Sequence, residues 1–216
     1  MNNTIAISIS KGQISTFPTV HFNGHITVIE DHETALGALK DLNKQQMSGF
    51  DSETKPSFRK GRPNKVALIQ IATEEQCFLF RINKLGFIPE LRQFIENDDI
   101  TKIGLSLKDD FSVLHRVADF TPGGFIELQS YVKQFNISDI SLQKIYGIIF
   151  EERISKSQRL SNWEATQLSS AQQTYAAIDA WACMRIYKHL NAGLFDPAQS
   201  PYITQEQNIT EELDEI

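Results

Sequence analysis

The segment GFDSET at residues 49–54 decides how the rest of the chain is interpreted. Phe50 leads into two carboxylates, Asp51 and Glu53, and a run rich in Val, Ile and Leu follows downstream. Residues i and i+2 of a strand point to the same face, so the carboxylates would stand side by side, with Phe50 and Ser52 opposite. Such carboxylates repel unless a cation lies between them, and hard oxygen ligands favour Mg²⁺ or Mn²⁺. A solvated turn after a strand is the alternative interpretation.

The composition is that of an ordinary globular domain. The chain has 216 residues, 41% of them hydrophobic and 22% charged, which suffices for one domain with a buried core. The N-terminal sequence has neither a basic start nor a long apolar run, so neither a signal peptide nor a membrane span is expected. Cys77 and Cys183 lie within apolar segments, which predicts buried free thiols and a cytoplasmic protein.

The chain is acidic overall but contains one basic segment. The formal net charge is −6 and the isoelectric point is near 5.4, which argues against indiscriminate nucleic-acid binding. Residues 55–65, just after the paired carboxylates, carry five cations and no acid. These cations are Lys55, Arg59, Lys60, Arg62 and Lys65. Either this segment grips a phosphate backbone, with Phe58 stacking on a base, or it is a solvated loop without a role.

Hydrophobic patterning predicts an α/β domain. Strands are expected at 47–53, 66–72, 76–82, 101–105 and 125–128, and helices at 88–96, 107–117, 128–135, 141–150 and 170–190. The short connection between the second and third strands requires an antiparallel hairpin, and the later helix–strand alternation requires parallel crossovers. The expected fold is therefore a mixed sheet, consisting of a three-stranded antiparallel meander plus two parallel strands, flanked by helices.

The two ends of the chain are expected to be less regular than this domain, with the N-terminal extension packing on it. Residues 1–24 are weakly patterned, with glycine and proline interruptions, and predict an irregular extension. The domain, residues 25–195, would begin with a strand at 25–29 and a helix capped by Asp31. The leucines expected to face inward from that helix are Leu36, Leu39 and Leu42. Residues 196–216 become polar and acidic, which predicts a mobile tail.

Asp110 and Asp179 lie among apolar neighbours. Asp110 shares a predicted helical face with leucine and phenylalanine side chains, where an unpaired charge would be costly, and helix capping by it or by Asp109 is the alternative. Asp179 is surrounded by alanine, isoleucine and tryptophan, and Tyr175 precedes it by one helical turn. A hydrogen bond within the core is the alternative for this pair. Ser170 and Gln173 predict a capping box at the start of the same helix.

The order of these residues resembles that of a known family. The chain is similar to the DEDDy 3′–5′ exonucleases of the ribonuclease D and Werner-type group, within the ribonuclease H-like superfamily. The matching segments are GFDSE at 49–53, KVALIQ at 65–70, GLSLKDD at 104–110, LSNW at 160–163 and YAAIDA at 175–180. The tyrosine lies four residues before the last aspartate, whereas the sister branch has a histidine five residues before it, at the position of Thr174.

The resemblance implies a function and a set of site residues. The implied catalytic residues are Asp51, Glu53, Asp110, Tyr175 and Asp179. The four carboxylates would ligate two Mg²⁺ or Mn²⁺ ions, with Asp51 bridging them, and Tyr175 would orient the attacking water. The implied reaction hydrolyses phosphodiester bonds from the 3′ end of a nucleic acid and releases nucleoside 5′-monophosphates.

Several assignments remain open from the sequence. Lys156 and Arg159 either contact substrate phosphates or form a solvated face, and Trp163 is expected to pack under the last helix. A non-catalytic nucleic-acid-binding module and a hydrolase of small phosphoesters are the competing functions, and the complete acidic set favours the nuclease. Nucleic acid is the expected partner, without a membrane, but the sequence does not distinguish DNA from RNA.

Overall fold

The computed structural model describes residues 5–55 and 65–205. Its strands are β1 (Ile5–Ile7), β2 (His25–Ile29), β3 (Met47–Thr54), β4 (Val66–Ala72), β5 (Gln76–Phe80), β6 (Thr101–Gly104), β7 (Phe125–Glu127) and β8 (Ile203–Gln205). Its α-helices are α1 (Lys11–Ser15), α2 (His32–Leu42), α3 (Ile82–Leu85), α4 (Pro89–Glu96), α5 (Leu107–Leu114), α6 (Leu128–Tyr131), α7 (Leu142–Phe150) and α8 (Ser170–Asn191). Short 3₁₀ turns occupy Val132–Phe135 and Pro197–Gln199.

A mixed six-stranded sheet forms the centre of the domain, with strand order β2–β5–β4–β3–β6–β7. The predicted α/β class is confirmed: β3, β4 and β5 form the antiparallel meander, and β6 and β7 continue in parallel from β3. The difference is a sixth strand, because β2 was expected as a lead-in and instead pairs in parallel with β5 at the sheet edge. A strand of only five residues does not indicate from its own sequence which strand it pairs with.

Helices cover both faces of the sheet. Helix α8 packs on one face, and α2, α4 and α5 pack on the other. Every residue of β4 is buried, which explains its unbroken apolar sequence. Leu39 and Leu42 of α2 are buried as predicted, but Leu36 is 41% exposed. Successive helical residues are rotated by roughly 100°, and Leu36 lies one such step away from buried Ala35, outside the buried stripe.

Helix α8 lies against β3 at Gly49. A methyl group at this position would overlap the backbone carbonyl oxygen of Ala180, so the helix can approach this closely only over a glycine. The facing side chains of Ala176, Ala177 and Ala180 are small and fully buried. This close contact places Asp179, which directly precedes Ala180 in the helix, beside the end of β3.

Replacing Gly49 with alanine is expected to destabilise the protein by about 2–3 kcal/mol, because helix and strand must separate to admit the added methyl group. Urea denaturation measures the change. Gly37→Ala is the matched control, since nothing lies within 4 Å of a β-carbon there, and it should stabilise helix α2 by about 0.5–1 kcal/mol. Equal stability of the Gly49 variant and the wild type would contradict the close contact.

The chain ends carry structure that the sequence did not predict. Strand β1 pairs antiparallel with β8, with Ile5 opposite Gln205. The Ile7 amide donates to the carbonyl of Asn136, and the Ser8 hydroxyl and Ile9 amide both donate to Asp139. Part of the segment expected to be irregular, and part of the expected mobile tail, therefore pair with each other. Each strand finds its partner at the opposite end of the chain, so no local pattern signals it; residues 206–216 lie outside the described residues.

Two other expectations concern the environment of the protein. Cys77 and Cys183 are free and buried, as predicted, while the cytoplasmic location remains a prediction. No helix within residues 5–55 and 65–205 has the length and apolar character that crossing a bilayer requires.

Candidate active site

Three carboxylates meet at the end of β3. Asp51 and Glu53 project from the same face of the strand, and Asp179 approaches from α8. One carboxylate oxygen of each residue lies within 4.8 Å of the other two. Asp179 is 8% exposed, whereas Asp51 and Glu53 are half-buried. Solvent therefore reaches the cluster along the strand, while the helix covers it from behind.

Asp110 reaches β3 from the opposite side. Its side chain is 9% exposed, and its carboxylate accepts a 2.5 Å hydrogen bond from the Ser52 hydroxyl. Ser52 alternates with Asp51 and Glu53 along the strand, so Asp110 comes from the face that α5 covers. Strand β6 ends at Gly104, and the last residues of β3 extend past it, which leaves space for the aspartate. Ser52 is thus a site residue that the sequence analysis missed.

Helix α5 is held by Glu127, a second residue that the sequence analysis missed. Its carboxylate accepts hydrogen bonds from the backbone amides of Ser106 at 3.1 Å and Leu107 at 2.8 Å. Asp109, the proposed cap, is exposed and lies inside the helix, which begins at Leu107. An acidic residue ending a short strand is compatible with such a role, because anions stabilise helix N-termini. Its partners lie 20 and 21 residues earlier, too far apart for a local motif.

Burial raises the pKa of every carboxylate in the cluster, and repulsion by neighbouring carboxylates raises the pKa of Asp51, Glu53 and Asp110 further. Burial and the adjacent Asp179 raise the pKa of Asp51 well above its usual value. Burial, followed by the other three carboxylates, raises the pKa of Glu53 to about 10. Burial raises the pKa of Asp110 to about 8 and that of Asp179 to about 7. These groups cannot all ionise without a nearby positive charge, so this all-oxygen donor set fits a hard divalent cation.

Tyr175 lies one turn before Asp179, within hydrogen-bonding reach of its carboxylate. Burial and the neighbouring acids raise the pKa of the phenol well above its usual value. Trp163 is fully buried and packs beneath α8, as predicted, with its ring centroid 6.0 Å from that of Tyr175. The phenol is therefore protonated near neutral pH and can donate a hydrogen bond at the edge of the cluster.

The start of α8 differs from the prediction by one residue. The capping box is formed by Ser169 and Gln172, and not by Ser170 and Gln173. Two adjacent serines are followed by two adjacent glutamines, so both pairs have the spacing that a capping box requires. The sequence cannot choose between them, whereas the packing of the helix does.

The predicted substrate-contacting residues fall into three groups. Lys156 and Arg159 are exposed and lie close enough to the cluster to lower the pKa of Asp179 and Glu53 against the larger effect of burial. Lys55 is exposed and forms an ion pair with Glu164 at 2.9 Å, and Lys65 is exposed just before β4. The remaining four, Phe58, Arg59, Lys60 and Arg62, lie outside the described residues.

Comparisons with known proteins point to one family. A family model described as 3′–5′ exonuclease matches residues 26–194. The mouse bifunctional 3′–5′ exonuclease/ATP-dependent helicase WRN is 31% identical over 192 residues, which cover 84% of this chain and 14% of that protein. A 3′–5′ exonuclease of Arabidopsis thaliana is 30% identical over 208 residues, covering 84% of this chain and 69% of that protein. The chain thus spans only a small part of the mouse relative.

A solved structure shows the same fold. Ribonuclease D of Escherichia coli superposes with a TM-score of 0.71 at 18% identity, covering 77% of this chain and 44% of that one. The resemblance inferred from the sequence is confirmed. Since the family match extends from β2 across the carboxylate cluster to the end of α8, the chain belongs to the 3′–5′ exonuclease family.

Proposed function

We propose that this chain removes nucleotides from the 3′ end of a nucleic acid by a two-metal-ion mechanism and releases nucleoside 5′-monophosphates. One observation carries this function: Asp51, Glu53 and Asp179 converge within 4.8 Å in a chain of the 3′–5′ exonuclease family. Asp110, buried on the other side of the same strand end, supplies a fourth carboxylate. Both DNA and RNA are candidate substrates.

The four carboxylates would together ligate two metal ions. Asp51, Glu53 and Asp179 would hold one ion, and Asp51 and Asp110 would hold the other. Their hard oxygen atoms suit Mg²⁺ or Mn²⁺. When bound, such ions would lower the pKa of a water and neutralise charge on the phosphate and on the departing oxygen.

The side chains around the cluster would orient the substrate. Tyr175, protonated and next to Asp179, holds the attacking water by a hydrogen bond and does not remove its proton. Lys156 and Arg159 lie at the solvent side of the carboxylates and attract the phosphates that flank the scissile bond. These cations offset the acidic net charge of −6 where the substrate enters.

A degradation ladder tests this function. Single-stranded and recessed DNA and RNA oligomers, labelled at the 5′ end, should shorten stepwise with Mg²⁺ or Mn²⁺ and remain intact with a chelator. Chromatography should identify nucleoside 5′-monophosphates as products. Oligomers that are bound but never shortened would indicate a non-catalytic binding module, and hydrolysis of a small phosphodiester alone would indicate a phosphoester hydrolase; either result overturns the proposed function.

A further inference from the structure

Gln70 is a fully buried polar side chain whose hydrogen-bonding capacity is unused. Within residues 5–55 and 65–205, neither its amide nitrogen nor its amide oxygen has a hydrogen-bond partner, although the residue is 0% exposed. An unsatisfied buried polar group of this kind destabilises a folded protein, because it gives up its hydrogen bonds to water without replacing them. An apolar side chain like those of its neighbours on β4 would stabilise the folded protein more than a glutamine at this position. The fold alone therefore does not account for the glutamine.

The register of the sheet places Gln70 beside the carboxylate cluster. Gln70 is the direct cross-strand partner of Asp51 in the antiparallel pair of β4 and β3. Side chains of such partners lie on the same face, with β-carbons about 4.5–5.5 Å apart. That face is covered by α8, because Leu68 and Ala72, two residues on either side of Gln70, pack with the alanines of that helix. Gln70 therefore lies in the buried layer that closes the back of the cluster.

We infer that Gln70 is a positioning residue for Asp51: its amide N–H donates to the carboxylate oxygen of Asp51 in the metal-binding state. This inference rests on the proposed function, because it concerns Asp51 as a metal ligand. An ionised carboxylate offers about four acceptor sites, so metal ligation leaves some of them free. A donor on a free site fixes the orientation of the ligand.

The chemistry of an amide suits this position. A lysine here would neutralise Asp51 and compete with the cation, and a glutamate would add repulsion to a cluster in which every carboxylate already has a raised pKa. A glutamine donates a hydrogen bond without adding charge. In this arrangement Asp51 is held by its own strand and by the neighbouring strand, so its oxygen atoms stay aimed at the side where Glu53 and Asp179 meet it.

A structural role is the competing explanation. The indole nitrogen of Trp163 is also buried, has no hydrogen-bond partner in the part of the chain that the structure describes, and lies in the same helix-covered layer. A hydrogen bond between Trp163 and the Gln70 amide oxygen would stabilise the fold without affecting metal ions. The two roles differ in which measured quantity changes when the amide is removed.

The test compares Gln70→Met with the wild type and with Ser48→Ala. Methionine keeps the length of the side chain and removes both hydrogen-bonding groups. The buried Ser48 hydroxyl also has no partner among the described residues. It lies on the opposite face of β3 from Asp51, so its variant controls for the removal of a buried polar group. Calorimetric titration with Mg²⁺ and with Mn²⁺ measures affinity, and thermal unfolding in a chelator measures the stability of the metal-free protein.

The expected result for Gln70→Met is a 10- to 100-fold weaker metal affinity, of the order found when partners of metal ligands are removed. Its Tm in chelator should equal or exceed that of the wild type, and Ser48→Ala should bind metal like the wild type. Unchanged affinity in Gln70→Met overturns the inference, and unchanged affinity with a lower Tm assigns the glutamine to the fold. A wild-type protein that binds neither ion refutes the proposed function and this inference with it.

Discussion

Asp51→Asn is expected to lose exonuclease activity and to gain stability in the absence of metal. Asp51 is the residue shared by both proposed ion sites, so its loss should lower the rate of cleavage by about 10³-fold or more, which corresponds to several kcal/mol of lost charge stabilisation. Desolvation and the neighbouring Asp179 raise the pKa of the same carboxylate well above its usual value. A neutral amide of the same shape carries no charge to desolvate and no repulsion from Asp179, so the metal-free variant should unfold at a higher temperature than the wild type at pH 8.

Two measurements check the variant, and an exposed acid supplies its control. The ladder assay gives the rate of cleavage, and thermal unfolding in a chelator gives the stability. Asp109→Asn removes a negative charge next to Asp110 from an exposed position, and it should change neither quantity substantially. Wild-type cleavage by Asp51→Asn would refute the assignment. A lower unfolding temperature of Asp51→Asn in chelator would show that the Asp51 carboxylate stabilises the metal-free fold, contrary to the prediction.

The free energy of unfolding of the metal-free protein is expected to fall as the pH rises from about 4 to about 8. Unfolded carboxyl groups release their protons near pH 4. In the folded protein, Asp179 keeps its proton to about pH 7 and Asp110 to about pH 8. The folded state therefore holds more protons than the unfolded state over this range, and stability decreases with pH wherever that is so.

Divalent ions should reverse this loss, and more strongly at higher pH, because protons and cations compete for the same oxygens. An ion at 100 times its dissociation constant stabilises a protein by about 2.7 kcal/mol, or roughly 5–10 °C in Tm for a domain of this size. Thermal unfolding at pH 5, 6, 7 and 8, with a chelator and with Mg²⁺ or Mn²⁺, measures the effect. Asp51→Asn provides the control that should lose most of the shift. Curves that are identical with and without metal at every pH would exclude a metal site.

Local signals in the sequence singled out the carboxylates of the candidate site, and the family resemblance joined these distant positions into one set. Asp51 and Glu53 occupy alternate positions of one strand, so their common orientation follows from strand geometry alone. Asp110 and Asp179 stand out as acids among apolar neighbours, and the structure buries both. Tyr175 and Asp179 are one helical turn apart, which makes them neighbours wherever the helix lies.

The sequence could not predict contacts that depend on the arrangement of distant elements. Ser52 was correctly expected opposite Asp51, but its hydrogen bond to Asp110 requires that α5 cover that face. The Glu127 carboxylate accepts a hydrogen bond from the Ser106 amide just after the neighbouring strand β6, and Gln70 lies opposite Asp51 on the strand next to it. Both placements depend on strand register, which is a property of the assembled sheet. Gln70 lies within a segment that carried the family resemblance, but its lack of partners is visible only in three dimensions.

The pairing of β1 with β8 has a consequence for attaching other proteins or surfaces to the domain. Because Ile5 and Gln205 are partners in one antiparallel pair, their α-carbons are only about 5 Å apart. A few added residues would therefore suffice to join residue 205 to residue 5, and the domain could be reopened at an exposed loop as a circular permutant. For the same reason, tethers attached near either end would pull on the same corner of the molecule and would unzip this two-stranded pair from its Ile5–Gln205 end before they load the central sheet.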